Sequence, residues 1–426
     1  MRRALLLALL VLLPELCTHA AAPDRVWITL GGRAWQLLHR INPELQAAAA
    51  RQVSAMGAEG AAEVDTIRVV AVSLSERDAL AVAVHRQLRH CGGFMAHDSL
   101  DAALRALAPA GPASTPTRPD YTIDQQPRIL PMLAAMSDAR IGTDIQSLEA
   151  FRNRYYNGSH GADAADWLAT QWQSIAAGRS DIHVDKVYRG SDAMPSVVLS
   201  IDGGRLAEQV LVLGAHLDSV NWKDYYTGTP HNLARAPGAD DDASGVAGLT
   251  EVLRTIVSAN LRPQRSIRLM AYSGEEFGLY GSQYLANDYA SRNVDVVGVL
   301  QMDMTNYQGS TADIYLIDDF TDAQQNAFLY QLAATYLPAL TVAWDSCTYA
   351  CSDHASWSAQ GYAASFPFEA KLGEDNVFIH SSQDTWANSG SQGVNALKFT
   401  RLAMAWLGEL AFEGDVIFAD GFQLGG

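Results

Sequence analysis

Val210-Leu211-Val212-Leu213-Gly214-Ala215-His216-Leu217-Asp218-Ser219 is an apolar run that stops abruptly at an imidazole and a carboxylate. A short apolar segment with polar borders predicts a buried β-strand. Extended chain repeats every two residues, so His216 and Asp218 face the same way. Alone, a His-x-Asp pair is more often a hydrogen-bonded loop than a reactive centre. The layout recurs further along, with strands predicted over 266–273, 294–302, 313–317 and 362–368. Helices are predicted over 143–155, 162–177, 244–260, 323–336 and 394–412. Strands alternating with helices predict an α/β domain, a mostly parallel twisted sheet with helices on both faces. In such sheets the ligand site lies beyond the carboxyl ends of the strands.

Those ends are where the chemistry-bearing residues fall. Ala236-Pro237-Gly238-Ala239-Asp240-Asp241-Asp242-Ala243-Ser244-Gly245 carries three adjacent acids before a small-residue helix start. Their repulsion must be offset by a cation, by the positive end of the helix or by solvent, and the tight flanks favour a cation. The next strand runs into Ser273-Gly274-Glu275-Glu276-Phe277-Gly278, where one carboxylate can hold a metal while its neighbour takes a proton from the attacking water. Leu300-Gln301-Met302-Asp303-Met304 places a single acid at the tip of an apolar run, which is costly without an ionic partner. Phe378-Ile379-His380-Ser381-Ser382-Gln383-Asp384 adds a second imidazole. Two His and several carboxylates suit zinc or another borderline divalent ion better than calcium or magnesium. There are enough of them for two Zn2+ per chain with a shared carboxylate, an arrangement that yields a zinc-bridging hydroxide near neutral pH.

Around this core the chain is organised simply. Met1-Arg2-Arg3, an apolar run from Ala4 to Leu13 and the small residues Ala20-Ala21-Ala22 have the three-part layout of a secretory signal peptide. The run is too short for a stable membrane span. The expected location is therefore secreted (extracellular) or periplasmic after signal-peptide removal. Residues 1–22 are read as the signal peptide, 23–118 as an α+β pro-segment and linker, 119–412 as the catalytic domain and 413–426 as a C-terminal tail. The Pro-rich stretch 109–119 is an exposed, cleavable linker, although a permanent accessory domain is the alternative to a removable one. In an exported chain Cys347 and Cys351 are expected to pair as a disulfide rather than remain two thiols or form a soft metal site. A formal charge of -17 excludes a nucleic-acid partner that depends on clustered Lys and Arg. A monomer is expected.

The series of motifs resembles the M28 family of two-zinc aminopeptidases, and within it the secreted bacterial leucyl aminopeptidases, over about residues 123–412. The resemblance implies that His216 and Asp303 hold one zinc and Glu276 and His380 the other, with Asp241 bridging. It makes Glu275 the general base and Asp218 the partner of His216, and implies a cis peptide between Asp241 and Asp242. Asp345 to Trp357 is similar to the family's disulfide-bearing loop. Tyr349 would then hold the peptide carbonyl or its oxyanion, Cys347 and Cys351 would wall the side-chain pocket, and His354 would be structural. Met304, Phe366, Phe368 and Ile379 match further pocket positions, implying peptides with a free N-terminus that begin with Leu or another large apolar residue. Asp375 departs from the pattern, standing where an aromatic is common. A carboxypeptidase or deacylase on the same metal frame, and a non-catalytic module, are the competing readings.

Overall fold

The computed structural model describes residues 25–56, 62–88, 92–107, 115–347 and 349–412. The leader 1–22, Cys91, most of the linker and the tail 413–426 lie outside the described residues, as does Thr348. The first part is β1 (Arg25–Leu30), α1 (Gly32–Ile41), β2 (Ala49–Met56), β3 (Ala62–Ser73), α2 (Leu74–Leu88), β4 (Phe94–His97) and α3 (Leu100–Leu107). Its strands form an antiparallel sheet in the order β2-β3-β1-β4. This is the α+β unit expected before the linker.

The second part opens with α4 (Gln126–Ala135), α5 (Asp138–Glu149) and α6 (Ser159–Ile175). There follow β5 (Ile182–Val187), β6 (Ser196–Ile201), β7 (Leu206–His216), α7 (Trp222–Tyr226), α8 (Ala243–Ser258), β8 (Arg265–Tyr272), α9 (Tyr280–Ser291) and β9 (Asp295–Gln301). It closes with β10 (Ile314–Ile317), α10 (Ala323–Tyr336), β11 (Val342–Asp345), α11 (His354–Ser358), β12 (Ala364–Phe368) and α12 (Val394–Ala411). The sheet order is β11-β10-β12-β9-β7-β8-β6-β5. Its centre, β12-β9-β7-β8, is parallel as expected, whereas β6 and β10 run antiparallel to their inner neighbours.

The apolar run of β7 is continuous because both of its faces are covered. Leu211 and Leu213 pack with the helices α4, α5, α6, α8, α10 and α12, while Val210 and Val212 pack with Leu285, Tyr289 and Trp357 from α9 and α11. α5 begins earlier than its apolar pattern suggests because Ser137 caps it, accepting from the Arg140 N–H. It ends at Glu149 rather than at Tyr155, since Asn153 and Arg154 are drawn off to bond distant carbonyls. Asp242 caps α8, and Gly245 in its first turn lies so close to β9 that a Cβ would stand 2.4 Å from the Met302 carbonyl oxygen. The helix N-terminus is thereby pressed against the strand ends. Among the described residues no helix is long and apolar enough to cross a membrane.

Candidate active site

Four parallel strands deliver their ends to one place. His216 is the last residue of β7, Glu275 and Glu276 form a 3-10 turn just beyond β8, Asp303 follows β9, and His380 lies in the loop after β12. Asp241 comes from the loop that enters α8, through a cis peptide to Asp242 as the resemblance implied. The five side chains meet in two triads, His216–Asp241–Asp303 and Asp241–Glu276–His380, each with its ligand atoms within 4.8 Å of one another. Asp241 belongs to both. Its Oδ1 lies 2.9 Å from His216 Nε2 and its Oδ2 3.1 Å from His380 Nε2, while Glu276 Oε2 stands 2.9 Å from His380 Nε2. Asp303 Oδ1 is 3.5 Å from His216 Nε2.

The donor set fits divalent cations. All five residues are buried, and among the described residues Glu276 Oε1 and Asp303 Oδ1 find no hydrogen-bond donor. Burial without a donor is unfavourable for a carboxylate oxygen and is relieved by metal coordination. Glu275 lies beside the cluster with both carboxyl oxygens buried and, among the described residues, without a hydrogen bond. Burial, with Asp353, Glu276 and Asp303 adding to it, pushes its carboxyl well above the usual range while His216 opposes. A carboxyl next to two metal-type triads, with no hydrogen-bond partner among the described residues, is placed to accept a proton from a polarised water once cations in those triads favour its ionised form.

The supporting groups are tertiary and were mostly not evident from sequence. Asp218 stands 3.6 Å from His216 Nδ1, yet its carboxylate accepts the backbone N–H groups of Glu275 and Glu276, so it aims the acid pair as well as facing the imidazole. Asp384 accepts the N–H groups of Asp240 and Asp241 and fixes the acidic loop. Ser352 donates to Asp303 Oδ2 at 2.5 Å. Arg154 is fully buried and donates to the carbonyls of Leu148, Leu217, Pro237 and Gly238, tying the end of β7 to the acidic loop. The charges of Asp384, Asp242, Asp218 and Asp241 partly offset the cost of burying its guanidinium.

Cys347 and Cys351 form a disulfide. They pack with Met304, Phe366, Phe368 and Ile379, the expected pocket residues, and with Ile317, which sequence reading passed over as an ordinary strand residue. His354 is stacked on Phe366, its Nε2 faces the Asp319 carbonyl, and it belongs to neither triad, as expected of a structural residue. Tyr349 does not project into open space: its hydroxyl donates to Thr29 Oγ1 of β1 at 2.6 Å. The N-terminal unit reaches the centre elsewhere too. The His85 ring lies 4.7 Å from the His380 ring, Gly93 N–H donates to the Ala350 carbonyl, and Ala81, Gly92 and Phe94 close over Glu276 and His380.

Residues 196–405, which hold all five ligand-type residues, match the model of Peptidase family M28. The chain is 34% identical over 309 residues to a probable leucine aminopeptidase of Arthroderma otae, covering 70% of this chain and 82% of that one. It is 33% identical over 325 residues to leucine aminopeptidase 1 of Grosmannia clavigera, covering 72% and 76%. The solved LapA aminopeptidase of Legionella pneumophila superposes with a TM-score of 0.75 at 25% identity, covering 91% of this chain and 99% of that one. Coverage of that extent takes in the N-terminal unit as well as the sheet domain. Family match, relatives and site geometry agree: the chain belongs to peptidase family M28 and is a metallo-aminopeptidase.

Proposed function

We propose that the protein is an exported two-zinc aminopeptidase that removes large apolar residues, leucine above all, from peptides with a free N-terminus, and that residues 23–118 are a pro-segment covering its active site. The observation that carries the reading is Asp241, shared between two buried triads with an unbonded Glu275 beside them. His216 and Asp303 would hold one zinc, Glu276 and His380 the other, with Asp241 between. Bound there, the ions would lower the pKa of a water and polarise the scissile carbonyl. Glu275 accepts the proton of the attacking water and returns it to the leaving amine. Tyr349, once released from Thr29, donates its hydroxyl to the developing oxyanion. The apolar cluster of Met304, Cys347, Cys351, Phe366, Phe368 and Ile379 receives the N-terminal side chain, a match for leucine in polarity and in keeping with the names of the relatives.

The pro-segment reading is supported by what the N-terminal unit occupies: it takes the Tyr349 hydroxyl and sets His85 against His380. Leucyl-amide hydrolysis is measured on the full chain and after cleavage in the linker, with and without a chelator and with metal quantified. The expected result is low activity in the full chain, high activity after the cut, loss with chelator and about two zinc ions per chain. Equal activity before and after the cut would overturn the pro-segment role, and absence of zinc would overturn the metal assignment.

A further inference from the structure

The loop that carries Asp241 and the loop that carries His380 are far apart in the chain and are zipped together at Asp384. Three successive N–H groups of the acidic loop point at this one residue: Ala239 donates to the Asp384 backbone carbonyl, Asp240 to its Oδ1 and Asp241 to its Oδ2, each at 3.1 Å. Asn376 Nδ2 spans the same seam, lying 3.0 Å from Asp240 Oδ2 and 3.4 Å from Asp384 Oδ1. Asp384 is 1% exposed and belongs to the turn that presents His380. Its N–H returns to the Ser381 carbonyl, while Ser381 Oγ donates to the Phe378 carbonyl and accepts the Gln383 N–H. The acidic loop has little slack with which to absorb a change. Gly238 has a φ of +55°, and a Cβ there would stand 2.5 Å from the Asp241 carbonyl oxygen. The other side of the centre needs no such link, because His216 and Asp303 extend from β7 and β9, which are paired neighbours in the sheet.

We propose that Asp384 is a positioning residue that joins the two triads into one metal-binding unit, by holding the backbone of the bridging acid against the His380 turn. The proposal rests on the two-metal reading above. Asp384 acts through backbone N–H groups rather than as a ligand, since both of its carboxyl oxygens are already engaged. Fixing the Asp240 and Asp241 N–H groups fixes the peptide plane that enters Asp241, and with it the direction in which the side chain leaves the backbone. That direction puts Oδ1 2.9 Å from His216 Nε2 and Oδ2 3.1 Å from His380 Nε2. A shared carboxylate has to satisfy both sides at once, so a small rotation takes one oxygen out of reach.

The measurement is zinc titration of the metal-free full chain against a chelating indicator, which reads the number and affinity of bound ions without turnover. Asp384→Asn keeps the shape and one acceptor oxygen, and is expected to weaken zinc binding about ten- to hundredfold, the span for losing an outer hydrogen-bond partner of a metal site. Ser381→Ala loosens the same turn without touching Asp384 and is expected to weaken it about two- to tenfold, which gives a second reading if Asp384→Asn does not fold. Tyr336→Phe, which takes the hydroxyl partner from the buried Glu409, is the control for lost stability alone and should bind zinc as the wild type does. Wild-type affinity in the folded variants at 384 and 381, or an equal weakening in Tyr336→Phe, overturns the positioning role and leaves the two-metal reading intact. A wild-type chain that takes up no zinc overturns both.

Discussion

Docking of the N-terminal unit is expected to weaken in acid through His97. Tyr349 donates to Thr29 Oγ1, and the Thr29 hydroxyl lies 3.0 Å from His97 Nε2, so Thr29 can donate onward only if that nitrogen is unprotonated. Gln283 of α9 bonds the same imidazole. Asp98, Arg105, Arg189, Tyr280, Tyr284 and Asp288 line the groove beside it, with Arg189 paired to Asp98, and none of them gives the imidazolium a salt bridge. Burial therefore pushes the docked imidazole down from 6.5 to about 4. A pKa depressed by docking means that the released form binds the proton more tightly, so docking is at full strength above about pH 6.5 and is lost as pH falls. The full shift corresponds to about 3 kcal/mol, and by pH 5 the docking constant is about 30-fold weaker than at pH 8. Hydrogen-exchange protection factors of the β1 and β4 amides in the full chain should fall by that factor, while those of 210–215 in the central strand hold. His97→Phe should dock more weakly at neutral pH and show a flatter profile, and the difference between the two profiles belongs to His97. Equal slopes in wild type and variant would refute the reasoning.

Three further outcomes follow from the site. Glu275→Gln should lower leucyl-amide turnover by about two to four orders of magnitude while metal content, measured by elemental analysis, stays at the wild-type level; near-normal turnover would remove Glu275 from proton transfer. Thr29→Val takes away the acceptor for Tyr349 and the donor to His97, so docking should weaken by about 1–3 kcal/mol and the uncut chain should gain activity. No gain would mean that the Tyr349 contact does not hold the enzyme latent. Arg154→Met strands the carbonyls of Leu148, Leu217, Pro237 and Gly238 without their donor, and the folding free energy should drop by about 3 kcal/mol or more in denaturant unfolding. A change under about 1 kcal/mol would show that water replaces the guanidinium there.

What could be read from the chain divides along a physical line. His216, the acid pair Glu275–Glu276 and Asp303 each stand directly after an apolar run, and hydrophobic periodicity is a local property of sequence; a polar residue at the end of a buried strand announces itself. The parallel centre of the sheet was legible for the same reason. β5 was not, because only Ile182 is buried among its six residues and an exposed edge strand carries little pattern. Arg154, Asp384 and Ser352 escaped because nearly all their work is done on backbone or side-chain atoms tens of residues away, and nothing local distinguishes a guanidinium that satisfies four carbonyls from one in solvent. The choice of Asp241 among three consecutive acids came from family resemblance, since Asp240, Asp241 and Asp242 are equivalent to any local rule. In the fold they separate: Asp240 accepts from Asn306 and Asn376, Asp242 caps α8 and accepts the His216 N–H, and Asp241 alone faces both imidazoles. Three identical residues thus take three roles because the chain turns between them, and a carboxylate left to face two imidazoles is the one best placed to sit between two cations.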